Sequence, residues 1–289
     1  MKENAFSACH PLTCFLYFLL AIAFTAVIRH PAYLAASGAA AVGYYLILRG
    51  RKGIAMLGAV APFLLLVALA NPLLNTRGQT VLFSLFGRPY TLEALCYGAV
   101  LAGMLGVMLV WFGCYSAVLT SDKFVCLFGR LIPALSLLLV MILRLIPAFQ
   151  RKATQLSGAR KCIGKGVGEQ PAKKEKLAAT MCLLSSLTDW ALEGSIVTAD
   201  SMRARGYGSA RRSSFQLYRL KKRDAALIVC MLALAGVTVG WGGMAAEYIP
   251  RIAVEPPGLG LVAYGLMLWI PVGLTWKEEL QWRISRSRI

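Results

Sequence analysis

Two histidines, eight cysteines and thirteen acids are the side chains of this 289-residue chain that most readily bind metals. His10 and His30 each stand just before a proline (Pro11, Pro31) at the edge of an apolar run, which reads as an interface position and not as a shared metal site or a catalytic base. Cys9, Cys14, Cys96, Cys114, Cys126, Cys162, Cys182 and Cys230 are scattered, mostly in apolar runs, without a C-x-x-C pair. They read as small core hydrophobes, neither a disulfide frame nor a metal site. The nearest approach to a phosphate loop separates Gly158 from Gly164 by five residues and ends Gly164-Lys165-Gly166, with no hydroxyl for magnesium and no preceding strand. ATP hydrolysis by this chain is therefore rejected, and no cofactor or metal is expected. The long uncharged runs hold no paired acids, histidine cluster or activated nucleophile, which argues against an intramembrane enzyme and against an ion-coupled carrier.

What remains is a chemistry of contact. Met202-Arg203-Ala204-Arg205-Gly206-Tyr207-Gly208 places small Ala204 and Gly206 on either side of Arg205. At the end of a helix that pattern lets a narrow tip enter a groove on another protein while the guanidinium forks onto a carboxylate there. Leu156-Ser157-Gly158-Ala159-Arg160-Lys161 offers a second small-then-Arg tip in Ala159 and Arg160. The plainer reading of either motif is that helix C-termini favour arginine for the dipole and glycine for the cap, and the sequence leaves both readings open.

The elements that must carry these tips follow from hydropathy. With 58% hydrophobic residues, 15% charged residues and a mean hydropathy of +0.63, the chain suits a bilayer better than water. Uncharged runs at 31–48, 54–76, 94–121, 225–246 and 258–276 reach the length of a membrane-crossing helix, and 12–28 is nearly long enough. The first run has only Lys2 before it, against Glu3, and no small-residue cleavage site ahead of a soluble domain, so it is expected to be retained. Net charge is +18, and 16 of 31 Lys and Arg fall between Gln150 and Arg223 against five acids, the bias of a loop kept in the cytoplasm beside anionic lipid rather than of a nucleic-acid-binding surface.

From Arg144 to about Ile163 one helix is expected, stopped by Gly164-Lys165-Gly166-Val167-Gly168. A second should start after Pro171 and end where Gly206 and Gly208 bracket Tyr207. Asp189, Glu193 and Asp200 make this second helix too costly as a span, so it reads as interfacial or protein-covered, packed on its partner helix and on the membrane domain. The stretch 77–93 reads as a short extended or interfacial connector, with Thr91 and Glu93 opening the next helix. The fold class is then an all-α polytopic membrane protein with about six to seven hydrophobic helices plus two long cytoplasmic ones. It divides into an N-terminal transmembrane block 1–149, a basic cytoplasmic region 150–223, and a C-terminal transmembrane hairpin with a basic cytoplasmic tail, 224–289. The topology before residue 150 stays open, because Arg49, Arg51 and Lys52 favour the inside yet three apolar runs follow them, of which 131–149 is the weakest span.

Most of the chain resembles the transmembrane T component of energy-coupling-factor (ECF) transporters for vitamins and metal ions. The resemblance is carried by Asn71-Pro72-Leu73 with Gly78-Gln79-Thr80-Val81-Leu82-Phe83, by Thr120-Ser121-Asp122-Lys123-Phe124, by Leu131-Ile132-Pro133, by Arg144-Leu145-Ile146-Pro147, and most specifically by Ala199-Asp200-Ser201-Met202-Arg203-Ala204-Arg205-Gly206-Tyr207. It implies a non-catalytic subunit of a bacterial cell membrane, whose two cytoplasmic coupling helices each end in an Ala-Arg-Gly motif docked on one of two ATP-binding subunits, identical or different. The membrane part would hold a separate substrate-binding S component. The second motif is intact at Ala204, Arg205 and Gly206; the first matches as Ala159 and Arg160, with Lys161 where the family has glycine. The competing expectation is a self-contained permease or channel with its own substrate path.

Overall fold

Two helices of this chain begin with the same local device. His10 and His30 each occupy the N-cap, each is followed by a proline in the first turn, and each turns its Nδ1 back to accept the N–H of the residue two ahead (Leu12 and Ala32, both 3.2 Å). Proline costs nothing in that first turn, whose N–H groups have no partner within the helix. The computed structural model describes residues 6–74, 80–85, 88–128, 133–164, 173–209, 218, 220–243, 246–248 and 253–286. Gly78, Gln79, Leu131 and Ile132, which carry part of the resemblance, and the Lys165–Gly168 part of the expected helix stop lie outside the described residues.

The helices are α1 (Pro11–Val27), α2 (Pro31–Arg49), α3 (Arg51–Leu74), α4 (Leu92–Val118), α5 (Ser121–Phe128), α6 (Pro133–Cys162), α7 (Lys173–Ala204), α8 (Lys222–Gly240) and α9 (Leu259–Arg286). Five of them, α2, α3, α4, α8 and α9, contain stretches long and apolar enough to cross a membrane, and α1 is a shorter apolar helix. The chain is thus a polytopic, predominantly helical membrane protein. It is not purely helical. The connector between α3 and α4 forms an antiparallel hairpin of β1 (Val81–Leu85) and β2 (Arg88–Thr91), and a smaller one, β3 (Ala246–Glu247) with β4 (Ala253–Val254), lies between α8 and α9. The strands are short, and the first connector is rich in β-branched and aromatic residues that favour extended pairing over a helical turn.

Residues 1–124 and 218–289 form one compact unit and residues 125–217 another. In the first unit α4 packs on α1, α2 and α3, and α9 packs on α2 and α8. Its centre is aromatic: Phe6, Tyr17, Phe18, Tyr44 and Trp111 are fully buried, with Tyr17 and Trp111 in edge contact at 5.8 Å and Phe6 and Tyr17 at 5.2 Å. Each polar tip needs a partner in so dry a place. Trp111 Nε1 donates to Ser37 Oγ at 3.0 Å, Ser37 pairs with Thr25 at 2.9 Å, and the Tyr17 hydroxyl donates to the Leu268 carbonyl at 2.8 Å. At Gly98 a side chain would collide with the Ala68 carbonyl and Asn71, so this glycine lets α3 and α4 close while Asn71 Nδ2 donates to the Ala94 carbonyl at 3.0 Å.

Polar ties gather the two ends of the first unit. At one end the Tyr248 hydroxyl donates to the Arg29 carbonyl, His30 Nε2 donates to the Glu255 carbonyl at 2.8 Å, and Tyr33 bonds the Gly242 carbonyl. Since Nδ1 of His30 accepts at the cap, Nε2 carries the ring proton. At the other end Lys123, buried, donates to the carbonyls of Ser7 and Val118, and Asp224, also buried, accepts from the backbone N–H groups of His10 and Lys221. Cys9 lies in this cluster, where burial pushes its thiol pKa up, opposed by Arg223 and reinforced by Asp224. Near the β1–β2 hairpin Glu93 is buried in the first turn of α4, and its carboxylate accepts from the N–H (3.1 Å) and hydroxyl (2.7 Å) of Thr80. Thr91 takes the N-cap position of α4 without using its hydroxyl there.

Candidate docking site

The second unit is built on α6 and α7. The apolar residues 133–149 and the basic residues 150–162 are one continuous helix, with Pro147 inside it and Arg144 exposed. On α7, Leu183, Leu187 and Trp190 recur at helical spacing, and Leu187 is the buried one. Trp190 meets Phe149 of α6 edge-on at 5.3 Å and lies under Lys152 Nζ at 5.9 Å. A second apolar stripe of α7, Leu177, Met181, Leu184 and Leu192, stays exposed at 56–60%. Asp189, Glu193 and Asp200 fall on a further face, also exposed. Only part of the apolar content of α7 is therefore consumed by its partner helix.

The tip of α7 is built by its glycine. Ala204 is the last helical residue, Arg205 the cap, and Gly206 takes φ +74°. The Tyr207 N–H reaches back to the Met202 carbonyl at 3.0 Å and the Gly206 N–H to Arg203 at 2.9 Å, the paired 6→1 and 5→2 bonds of a Schellman ending. Gly208, at φ +94°, turns the chain again. Ala204, Arg205 and Gly206 are all exposed. The guanidinium consequently leaves the helix at its very end, flanked by two residues that add almost no bulk.

The tip of α6 has the same kind of stop in another register. Here the left-handed residue is Gly164, at φ +72°, whose N–H bonds the Lys161 carbonyl at 3.1 Å while the Ile163 N–H bonds Ala159 at 3.3 Å. Ile163 thus stands at the cap, where α7 has Arg205. Ala159, exposed, and Arg160, half-buried, lie one turn back inside the helix. The structure keeps Ala204, Arg205 and Gly206 together as one tip and places Ala159 and Arg160 on the flank of the other. The sequence signal that distinguishes them is Gly164 itself, which marks the true end of α6. The ring contacts joining the two helices, at Phe149 and Trp190, lie about 20 Å along each helix from these ends.

Among the described residues no group of three or more His, Cys, Asp or Glu side chains is placed to hold a metal ion. No protein-family model matches the chain, and a search of curated proteins finds no significant relative.

Proposed function

We propose that this chain is the transmembrane coupling subunit of an ATP-driven importer of the ECF type, carrying movement of two ATP-binding subunits to a membrane-embedded S component that binds a vitamin or metal ion. The observation that carries the reading is the end of α7: an exposed arginine at the helix cap, set between Ala204 and a left-handed Gly206, on a helix pair that forms its own compact unit. A guanidinium so placed can insert end-on and fork onto a carboxylate without steric cost from its neighbours. The exposed stripe Leu177, Met181, Leu184 and Leu192 supplies a second, apolar contact for the S component.

Topology supports the same reading. Six crossings, by α1, α2, α3, α4, α8 and α9, put the α2–α3 turn, the exit from α4, the start of α8 and the end of α9 on one side. That side carries Arg49, Arg51, Lys52, Lys123, the Lys221–Arg223 run and Lys277, and so is the cytoplasmic one. Reading α6 as a helix that does not cross, on the ground that Arg144 and the basic residues from Arg151 onward interrupt its apolar run, removes the conflict posed by Arg49–Lys52. A self-contained permease is disfavoured by the filled aromatic centre of the first unit, where Tyr17, Trp111, Ser37 and Thr25 spend their polar atoms on one another and on backbone carbonyls, the buried Tyr44 hydroxyl being the exception.

The test is co-purification of the tagged chain from its native membranes, comparing the unaltered protein with Arg205→Glu and Arg160→Glu. ATP-binding subunits should accompany the unaltered chain and be lost on reversal of Arg205, with a smaller loss on reversal of Arg160 because that residue lies on the flank of its helix. Absence of any ATPase from the unaltered chain would overturn the proposal.

A further inference from the structure

Between α2, α3 and α4 lies a slot of about 230 Å³ with an almost wholly apolar lining, walled by Tyr45, Met56, Val60 and Val107. The Tyr45 hydroxyl at its wall is already turned onto the Met56 sulfur. Water has no reason to occupy such a space, since it would find none of the two to four polar partners it requires. Left empty, the slot forfeits the dispersion contacts of every wall atom. From Gly38 to Tyr45 it extends about 10 Å along α2, a depth suited to a segment of a hydrocarbon chain. Half-exposed Met56 and Leu109 border it, so it opens on the outer face of the helices and not into the buried centre.

One end of the slot is cationic. Arg49 stacks its guanidinium over the Tyr45 ring at 5.8 Å, is itself exposed, and is followed in sequence by Arg51 and Lys52. Among the described residues no carboxylate pairs with Arg49. An apolar groove of acyl-chain depth, ending at an exposed guanidinium where two apolar helices turn, matches one ligand class in both halves. We propose that this slot is a binding site for an anionic phospholipid, with an acyl chain between α2, α3 and α4 and the phosphate on Arg49. A guanidinium forks onto phosphate oxygens, and its weak hydration suits the bilayer interface. A partner helix is the poorer occupant, because its own flanking residues at this side of the membrane are biased toward Lys and Arg and would meet Arg49 as like charges.

The full-length chain, reconstituted in nanodiscs, would be irradiated with phosphatidylglycerol or phosphatidylcholine carrying a diazirine in the acyl chain, and the labelled peptides mapped. Label should concentrate on the α3 and α4 segments that line the slot, with phosphatidylglycerol favoured by about fivefold, the effect of one basic residue at an anionic surface. Val60→Phe and Val107→Phe, which fill the slot from opposite walls, should each remove most of that label, and at least one should keep the unaltered thermal midpoint. Arg49→Gln should abolish the preference for phosphatidylglycerol while leaving phosphatidylcholine labelling in place. Label spread evenly over all exposed apolar faces, label insensitive to both fillers in folded protein, or a slot labelled in the purified chain but protected in a complex isolated from native membranes would each overturn the proposal, the last by making the slot a protein contact.

Discussion

Trp111 and Trp190 occupy opposite situations in one chain. Trp111 has no exposed surface, meets Tyr17 and Phe18 edge-on, and donates its indole N–H to Ser37. Trp190 is half-buried and is held by one ring and one ammonium. The difference extends to the units that contain them. The first is interlocked by aromatic packing and by side chains that bond backbone carbonyls more than two hundred residues away, such as Tyr17 on Leu268 and His30 on Glu255. In the second, α7 buries only Leu187 among its described residues. Packing is thus dense in the first unit and sparse on α7 of the second.

The sharpest way to break this contrast is to truncate both indoles. Trp111→Ala should cost about 3 kcal/mol or more, because the cavity term and the lost indole hydrogen bond to Ser37 add to the lost ring contacts. Hydrophobic transfer contributes less than in a water-soluble core, since lipid is itself apolar; packing and hydrogen bonds carry the loss. Trp190→Ala should cost about 1 kcal/mol, the size of one aromatic pair and one exposed cation–π contact. Equilibrium unfolding of both variants in the same detergent measures the ratio, and equal costs would remove the distinction between a stiff and a lightly held unit.

Lys123 is where the contrast meets the chain connectivity, since Phe124 is the last residue of the first unit before residues 125–217 depart from it. Its ammonium is buried and serves the Ser7 and Val118 carbonyls. Lys123→Met keeps the length of the side chain and removes both donors, which should cost about 1–3 kcal/mol. Hydrogen exchange should rise around residues 6–10 and 119–124 while α7 exchanges as before. Loss of protection on α7 instead would show that the second unit depends on this anchor for its own stability.

The sequence announces some of this and hides the rest for identifiable reasons. Apolar runs predict the spanning helices because a bilayer demands length and absence of charge, and Gly206 with Gly208 predicts the end of α7 because left-handed backbone is cheap only for glycine. Dividing the chain at residue 149 follows the composition change at Gln150, while the helix expected from Arg144 to about Ile163 already crosses that point; α6 extends it back to Pro133, because backbone hydrogen bonding is indifferent to a change from apolar to basic side chains. The histidines read as interface residues, but their role as N-caps was written in the His-Pro pairs that precede both α1 and α2. The burial of Lys123 and Asp224 was less legible: their bonds to the Val118 carbonyl and the Lys221 N–H are local, but those that tie the unit together reach Ser7 and the His10 N–H, distant in sequence. At the candidate site the tip of α7 was legible from one motif, while the register of the α6 tip was set by Gly164, three residues past Lys161, where the family pattern directs no attention.

That register gives the finest test, because one substitution should change sign along α6 and α7. Gly158 lies inside α6 with open space where a Cβ would stand, so Gly158→Ala should stabilise the helix by about 0.5–1 kcal/mol through backbone entropy alone. Gly206 is at φ +74°, where a Cβ is strained and would also press on Ser209 Oγ at 3.2 Å, so Gly206→Ala should cost about 1 kcal/mol. The cost should appear locally. The Gly206 and Tyr207 amides, bonded to Arg203 and Met202, should exchange about fivefold faster while those of Leu187 and Trp190 do not change. If co-purification of the ATP-binding subunits falls in Gly206→Ala and survives in Gly158→Ala, the shape of the cap, and not glycine content near an arginine, is what presents Arg205. Should both variants behave alike in exchange and in binding, the Schellman ending has no part in docking and Arg205 acts from a frayed tip.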